Sequence, residues 1–355
     1  MFNKIKQLIL QKSDSYNFYK NQYTILNNEL ENKIDELETS NKKLQEDVKK
    51  LTNKNIELSD QLKENTKKNS QILDSYNNSF NTIFLDYNLE PKGALKNTHL
   101  LCIELLNLIV NICEKYNLSY WLDYGNLLGA VRHDGFIPWD DDMDVGMMRK
   151  DFNKLLEVLP NEIKINNLEN YLDIQIDEKL SENSIFTFLQ IRCLKGKKFY
   201  GGIDIFSYDF LVSPFDGIDE KFNSERKSFL LKLLKGTPRS IAIDEYYDSF
   251  NLSYDKQDYM IPGIDGVRSK WNTYDFVVMD TNMIFPLKTI TFCGVEYNCP
   301  RNPDYYLKCI YGEYYDIPKI IDRHKRIRGI RRISDVDGAY KPYFDKLREV
   351  NNNNY

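Results

Sequence analysis

Between residues 23 and 73 the chain contains neither glycine nor proline, and apolar residues recur there at alternating spacings of three and four. Leu30, Ile34, Leu37, Asn41, Leu44, Val48, Leu51, Asn55, Leu58, Leu62, Asn65, Asn69 and Ile72 fall on one seam, with Lys and Glu on its flanks. That is about six heptads, and a period of 3.5 sustained over such a length is the pattern of a coiled coil. Asn41 and Asn55 take a positions, where a buried amide costs stability but fixes register and favours a parallel pair. The seam thins toward Asn65 and Asn69. We therefore expect residues 1–75 to be an N-terminal helix and coiled coil that makes a homodimer. The alternative is a solvated single helix with an incidental stripe.

Residues 76–94 read as a connector ending in Pro91 and Gly93, and 336–355, closing on NNNNY, as a C-terminal tail. The intervening 95–335 has the makings of a catalytic domain. Positions 95–116 follow a helical period through Leu100, Ile103, Leu106, Ile109, Val110 and Cys113. Short β-type runs come next, at 120–122, 143–145, 174–176, 186–191 and 203–206. Helical patterns intervene at 127–132, 151–159 and 220–234, and 303–311 adds a last one. Strands mixed with helices predict an α/β (α+β) domain, a mixed sheet with flanking helices.

The chemistry concentrates between 120 and 149. Asp140, Asp141, Asp142 and Asp144 are interleaved with Met143 and Val145 and follow Pro138-Trp139. A solvated acidic loop does not usually alternate with apolar residues. If 141–147 is a strand, Asp142 and Asp144 share a face, and two carboxylates on one face repel unless a cation neutralises them. Hard oxygen ligands select Mg²⁺ or Mn²⁺, ions that commonly also bind phosphate. A Ca²⁺ loop of EF-hand type is excluded, because no Glu stands at the twelfth position after Asp140 or Asp142. An exposed turn is the remaining alternative. Upstream, Gly125-Asn126-Leu127-Leu128-Gly129 opens a helix. A glycine turn there lets backbone N–H groups approach a phosphate, although alone such a turn is a weak signal.

The run GNLLGAVRHDGFIPWDDDMDVGM, 125–147, resembles the LicD/fukutin family of nucleotidyltransferase-fold phosphotransferases. Gly202-Ile203-Asp204-Ile205-Phe206 is similar to that family's third-carboxylate strand. Pro286-Leu287, Tyr297 to Pro300, Tyr311 to Tyr314 and His324 resemble its C-terminal region, so the likeness covers about 95–330. It implies a nucleotidyltransferase-like sheet and the transfer of a phosphocholine-type or polyol-phosphate group from a CDP-linked donor to a glycan. It implies Asp142, Asp144 and Asp204 as catalytic metal ligands, with Asp140 supporting them. Gly125 and Asn126 match the family's phosphate turn, although Asn126 replaces the usual small hydroxyl. Arg132 and His133 lie between the turn and the acids, where they could contact the diphosphate, and His324 completes the expected phosphate-binding set.

Net charge is −5 and no nucleic-acid motif appears, so no nucleic-acid partner is expected. No run of about 18 apolar residues is present, and no secretory leader is read at the N-terminus. A cytoplasmic protein, or one peripheral at the inner membrane face, follows as the expectation. The stretch 323–332 holds six Lys and Arg. It could meet a nucleotide diphosphate, an anionic glycolipid or a membrane surface, or be a solvated basic face. Cys293, Cys299 and Cys309 lack CxxC spacing, and all six cysteines are expected as reduced thiols. Two rival functions stay open: a transferase of whole nucleoside monophosphates, and an inactive coiled-coil scaffold.

Overall fold

The computed structural model of the protein describes residues 1–87, 89–196, 198–266, 276–317, 330 and 333–353. It divides into two units, Met1–Tyr76 and Asn77–Tyr355. The first consists of helix α1 (Phe2–Asp86), whose final ten residues belong to the second unit. No Gly or Pro interrupts its 85 residues. Its heptad side chains, from Leu30 to Leu62, are all largely exposed on this single helix. The expected connector is correspondingly shorter, because α1 runs on to Asp86.

In the second unit α2 (Ala94–Tyr116) buries its apolar stripe and ends on Asn117 in the left-handed conformation. The chain then alternates β1 (Trp121–Leu122), α3 (Tyr124–His133), β2 (Met143–Met148), α4 (Arg149–Ile165) and β3 (Asp173–Gln175). A hairpin of β4 (Glu178–Ser181) and β5 (Ser184–Phe186) precedes β6 (Leu189–Lys195) and the long β7 (Lys198–Leu211). Two helices, α5 (Ile218–Leu234) and α6 (Arg239–Phe250), lead to β8 (Leu252–Ser253), β9 (Tyr259–Pro262) and β10 (Met279–Asp280). Then come α7 (Thr281–Ile284), a second hairpin of β11 (Lys288–Phe292) and β12 (Val295–Cys299), α8 (Pro303–Tyr311) and α9 (Val336–Asn353).

The result is the expected mixed α/β architecture. The main sheet runs β1-β2-β7-β6-β3, with β8, β9 and β10 extending it from β7. Among the described residues only β2 and β7 pair in parallel; the other pairs of this sheet are antiparallel. Parallel strands need cover on both faces, and β2 and β7 are buried along almost their whole length. Trp121 lies over Gly146, its partner in register, where a Cβ would come within 2.4 Å of the indole. A second cluster, from Leu211 to Ile264, joins the end of β7 to α5, α6 and β9.

The expected tail is corrected. Val336–Asn353 is a helix packed on α2, with Tyr340, Tyr343, Leu347 and Val350 buried on one stripe. Tyr340 shares a 2.7 Å hydrogen bond with Thr98, and Asn97 Nδ2 donates to Asp337 at 2.7 Å. Each buried apolar side chain contributes on the order of 2 kcal/mol, enough to anchor a segment whose last residues look disordered by composition.

Candidate active site

The site begins with strand register. In the parallel pair Asp144 of β2 stands opposite Asp204 of β7, and Asp204 stands opposite Gln190 of β6. Three polar side chains thus lie side by side across three adjacent strands. Asp142 immediately precedes β2. Carboxylate oxygens of Asp142, Asp144 and Asp204 all lie within 4.8 Å of one another, as do those of Asp140, Asp141 and Asp142. Asp204 is fully buried and Asp142 nearly so. Gln190 donates from Nε2 to Asp204 Oδ1, which fixes the carboxylate's orientation.

Helix α3 presents its first turn to this cluster. Gly125 N donates to Asp144 Oδ2 at 3.3 Å. A Cβ on Gly125 would stand 2.8 Å from Asp140 Oδ2, so a side chain there would push the Asp140 carboxylate aside. Asn126 accepts from the Asp144 backbone N–H through Oδ1. In this arrangement its oxygen ties α3 to β2, a positional task beyond the phosphate contact expected of its amide. Burial and the neighbouring charges of Asp142, Asp144 and Asp141 push the Asp140 carboxyl well above its ordinary range. Like charges this close titrate together. A set of hard oxygen donors with mutual repulsion fits a divalent cation.

Arg132 and His133 stand at the other end of α3, roughly 10 Å along its axis from Gly125 at 1.5 Å per residue. Arg132 Nη1 donates to the carbonyls of Tyr314 and Tyr315 at 3.2 and 3.4 Å. Burial and the Arg132 charge lower the His133 imidazole to about 4. The structure brings Gly125 and Asn126 to the acids, and sets these two residues apart from them. His324 and, except for Ile330, the basic stretch 323–332 lie outside the described residues.

Several supporting residues were not read from the sequence. Asp123 caps α3: its Oδ1 accepts from Tyr124 N at 2.7 Å and from Tyr306 OH at 2.6 Å. Its Oδ2 accepts from Tyr208 OH at 2.8 Å. Burial raises its carboxyl to about 6, against those three hydrogen bonds. An Asp just before a helical run is an N-cap signal that could have found it. His99 of α2 hydrogen-bonds the Asp140 carbonyl through Nε2 at 2.8 Å and stacks on Phe136 at 4.0 Å. Burial lowers it to about 4, so its imidazole is neutral and donates here. Nothing in the sequence marks His99 or Gln190; only the tertiary register does.

Residues 117–210 match the sequence model of LicD/FKTN/FKRP, nucleotidyltransferase domain. This segment belongs to the LicD/fukutin family. Lipopolysaccharide cholinephosphotransferase LicD of Haemophilus influenzae is 39% identical over 120 residues, 33% of this chain and 45% of that protein. An uncharacterized protein of Rickettsia prowazekii is 37% identical over 117 residues, 30% of this chain and 42% of its own. Ribitol 5-phosphate transferase FKRP of Mus musculus is 44% identical over 48 residues, 14% of this chain and 10% of that protein. The chain thus spans less than half the length of these relatives. The LicD-family segment contains every acid of the cluster together with Asp123, Gln190 and Tyr208. Helix α1, His99 and Tyr306 fall outside it.

Proposed function

We propose that the protein is a Mg²⁺- or Mn²⁺-dependent phosphotransferase that moves a phosphocholine-type or polyol-phosphate group from a CDP-linked donor to a glycan hydroxyl. The observation that carries the reading is the set of Asp142, Asp144 and Asp204 oxygens within 4.8 Å, with Asp144 and Asp204 opposite each other on two parallel strands and Asp142 just before the first. The names of the relatives, a cholinephosphotransferase and a ribitol 5-phosphate transferase, support a substituted phosphate as the transferred group. We read the sheet as nucleotidyltransferase-like on the same grounds.

Asp142 and Asp144 would hold the cation, with Asp140 alongside. Asp204, oriented by Gln190, would take the proton of the acceptor hydroxyl. The first turn of α3, whose Gly125 N–H holds Asp144, would face the donor diphosphate. A bound divalent cation lowers the pKa of a coordinated hydroxyl and offsets the charge growing on the leaving nucleotide. The new bond joins the acceptor oxygen to the phosphorus bearing choline or polyol, and CMP departs. Such a reaction belongs on the cytoplasmic side, before the glycan is exported. No helix among the described residues is long and apolar enough to cross a membrane, and a peripheral contact with the inner leaflet is part of the proposal.

The test is product identity with CDP-choline and CDP-ribitol, a surface-glycan acceptor and Mn²⁺. CMP release that stops in EDTA supports the proposal. Phosphocholine as product points instead to nucleoside-monophosphate transfer, and no turnover under any condition favours the inactive scaffold. We also propose that residues 23–73 pair two chains in parallel, since seam residues from Leu30 to Leu62 are 47% to 68% exposed on one helix. Light scattering decides it: a monomer at micromolar concentration rejects the homodimer. Replacing Asn41 and Asn55 with Leu is expected to raise the melting temperature and loosen the oligomeric state.

A further inference from the structure

The last turns of α1 have two faces. Asn77, Asn81, Phe84 and Leu85 are half-buried along one stripe, while Asn78 and Ile83 are exposed. The covered stripe reaches the acidic site from outside the LicD-family segment. Phe84 meets Trp139 edge-on, with 4.6 Å between ring centroids, and Phe80 stacks on Phe84 at 6.0 Å. Three residues earlier, Asn81 Oδ1 accepts a hydrogen bond from Ile317 N at 2.7 Å.

Trp139 immediately precedes Asp140, and the loop that carries both is held at several other points. Asp140 N donates to Ile137 O at 3.0 Å, and His99 holds the Asp140 carbonyl. Phe136 is gripped between His99 and Phe292, whose ring lies 4.9 Å away. These contacts fix the backbone on either side of Trp139, and Phe84 fixes the indole itself. The need for bracing is electrostatic. Asp140, Asp141 and Asp142 are consecutive and crowd one another, so their repulsion tends to open the loop. A cation site works only if its oxygens stay within roughly 0.5 Å of the productive geometry.

We propose that Phe84 is a positioning residue of the acidic site, acting through Trp139, with Asn81 as its second anchor. The end of α1 is then a working part of the site and not a connector. The inference rests on the cation-binding reading given above, and the experiment separates the two.

Mn²⁺ binding is measured on the full-length chain by paramagnetic resonance, well below the melting temperature, for wild type, Phe84→Ala, Phe84→Tyr, Asn81→Ala and Ile83→Ala. Loss of an outer support typically weakens metal affinity about tenfold or more. That loss is expected in Phe84→Ala, a smaller one in Asn81→Ala, recovery in Phe84→Tyr and wild-type affinity in Ile83→Ala, whose side chain points away. Phe84→Ala binding Mn²⁺ as tightly as wild type overturns the inference and leaves the metal reading standing. Wild type that takes no Mn²⁺ overturns the metal reading, and the inference with it. If Phe84→Ala does not fold, Phe84→Leu, which keeps the volume and removes the ring edge, is judged by the same criterion.

Discussion

The parallel pair of β2 and β7 has acidic clusters near both ends of β2. At the start of β2, Asp142, Asp144 and Asp204 lie against one another. Just beyond its end, Arg149 is buried between Asp209 and Asp265. It donates to Asp209 at 2.7 and 3.1 Å and to Asp265 at 2.6 and 2.7 Å. Arg239 bridges Asp265 and Asp177, Ser207 donates to Asp265, and Tyr247 donates to Asp209 at 2.8 Å. The first end sets acid on acid; at the second every carboxylate touches a guanidinium. The second network ties sheet, α4 and α6 together, and its task is cohesion. Burying charge is costly, and built-in countercharge offsets that cost. On the proposed reading the first end leaves its countercharge to an ion from solution.

The widest gap between the two ends is predicted in activity. Asp144→Asn or Asp142→Asn is expected to lower turnover by about a thousandfold or more, since removing a central electrostatic group commonly has that effect. Stability is expected to hold or rise slightly, because one of several crowded like charges is gone. Turnover is read as CMP release and stability from thermal unfolding. A variant that keeps wild-type turnover erases the distinction between the ends.

The converse substitution is Asp265→Asn. It leaves Arg149 and Arg239 short of a buried partner, and breaking such a pair costs about 3–5 kcal/mol. Denaturant unfolding is expected to show that loss, while the folded fraction keeps its CMP-releasing turnover. The Asp265 carboxyl is held well below the usual range by Arg149 and Arg239 in spite of its burial. The sign is that of a depressed carboxylate. Its contribution is present above the ordinary pKa near 4 and is lost only as pH falls below it. The network is expected to survive mild acid.

The same contrast explains what was legible in the sequence. Alternation at Asp142-Met143-Asp144 gave two same-face acids, because strand periodicity is local. Asp204, sixty positions later, entered only through the family resemblance, since parallel register is a tertiary fact. Arg149 looks like any charged residue opening a helix, and nothing nearby says that its partners are Asp209 and Asp265. The sequence reading misses helix α9 because the run of asparagines at 351–354 outweighs the stripe from Tyr340 to Val350. Local periodicity and caps can be read from sequence, whereas pairing between distant segments cannot.

The smallest predicted effect sharpens the comparison from within the ion network. Asp177, Asp209 and Asp265 face Arg149 and Arg239, three acids for two guanidiniums among the described residues. One negative charge is in surplus, and it falls on Asp177, at the half-buried edge. Burial, helped by the Asp265 charge, lifts the Asp177 carboxyl to about 6 in spite of its ion pair with Arg239. A carboxyl raised on folding stabilises most below its unfolded pKa, near 4, and that contribution is lost as pH rises through about 6. Asp177→Asn mimics the protonated form at every pH. It is expected to match wild type near pH 4.5 and to exceed it at pH 8, by on the order of 1 kcal/mol once solvent screening is allowed for. Melting temperatures at the two pH values provide the check. Equal stability of both proteins at both pH values would show that Arg239 fully compensates Asp177. The network would then hold no surplus charge, and the contrast between the two ends of β2 would be complete.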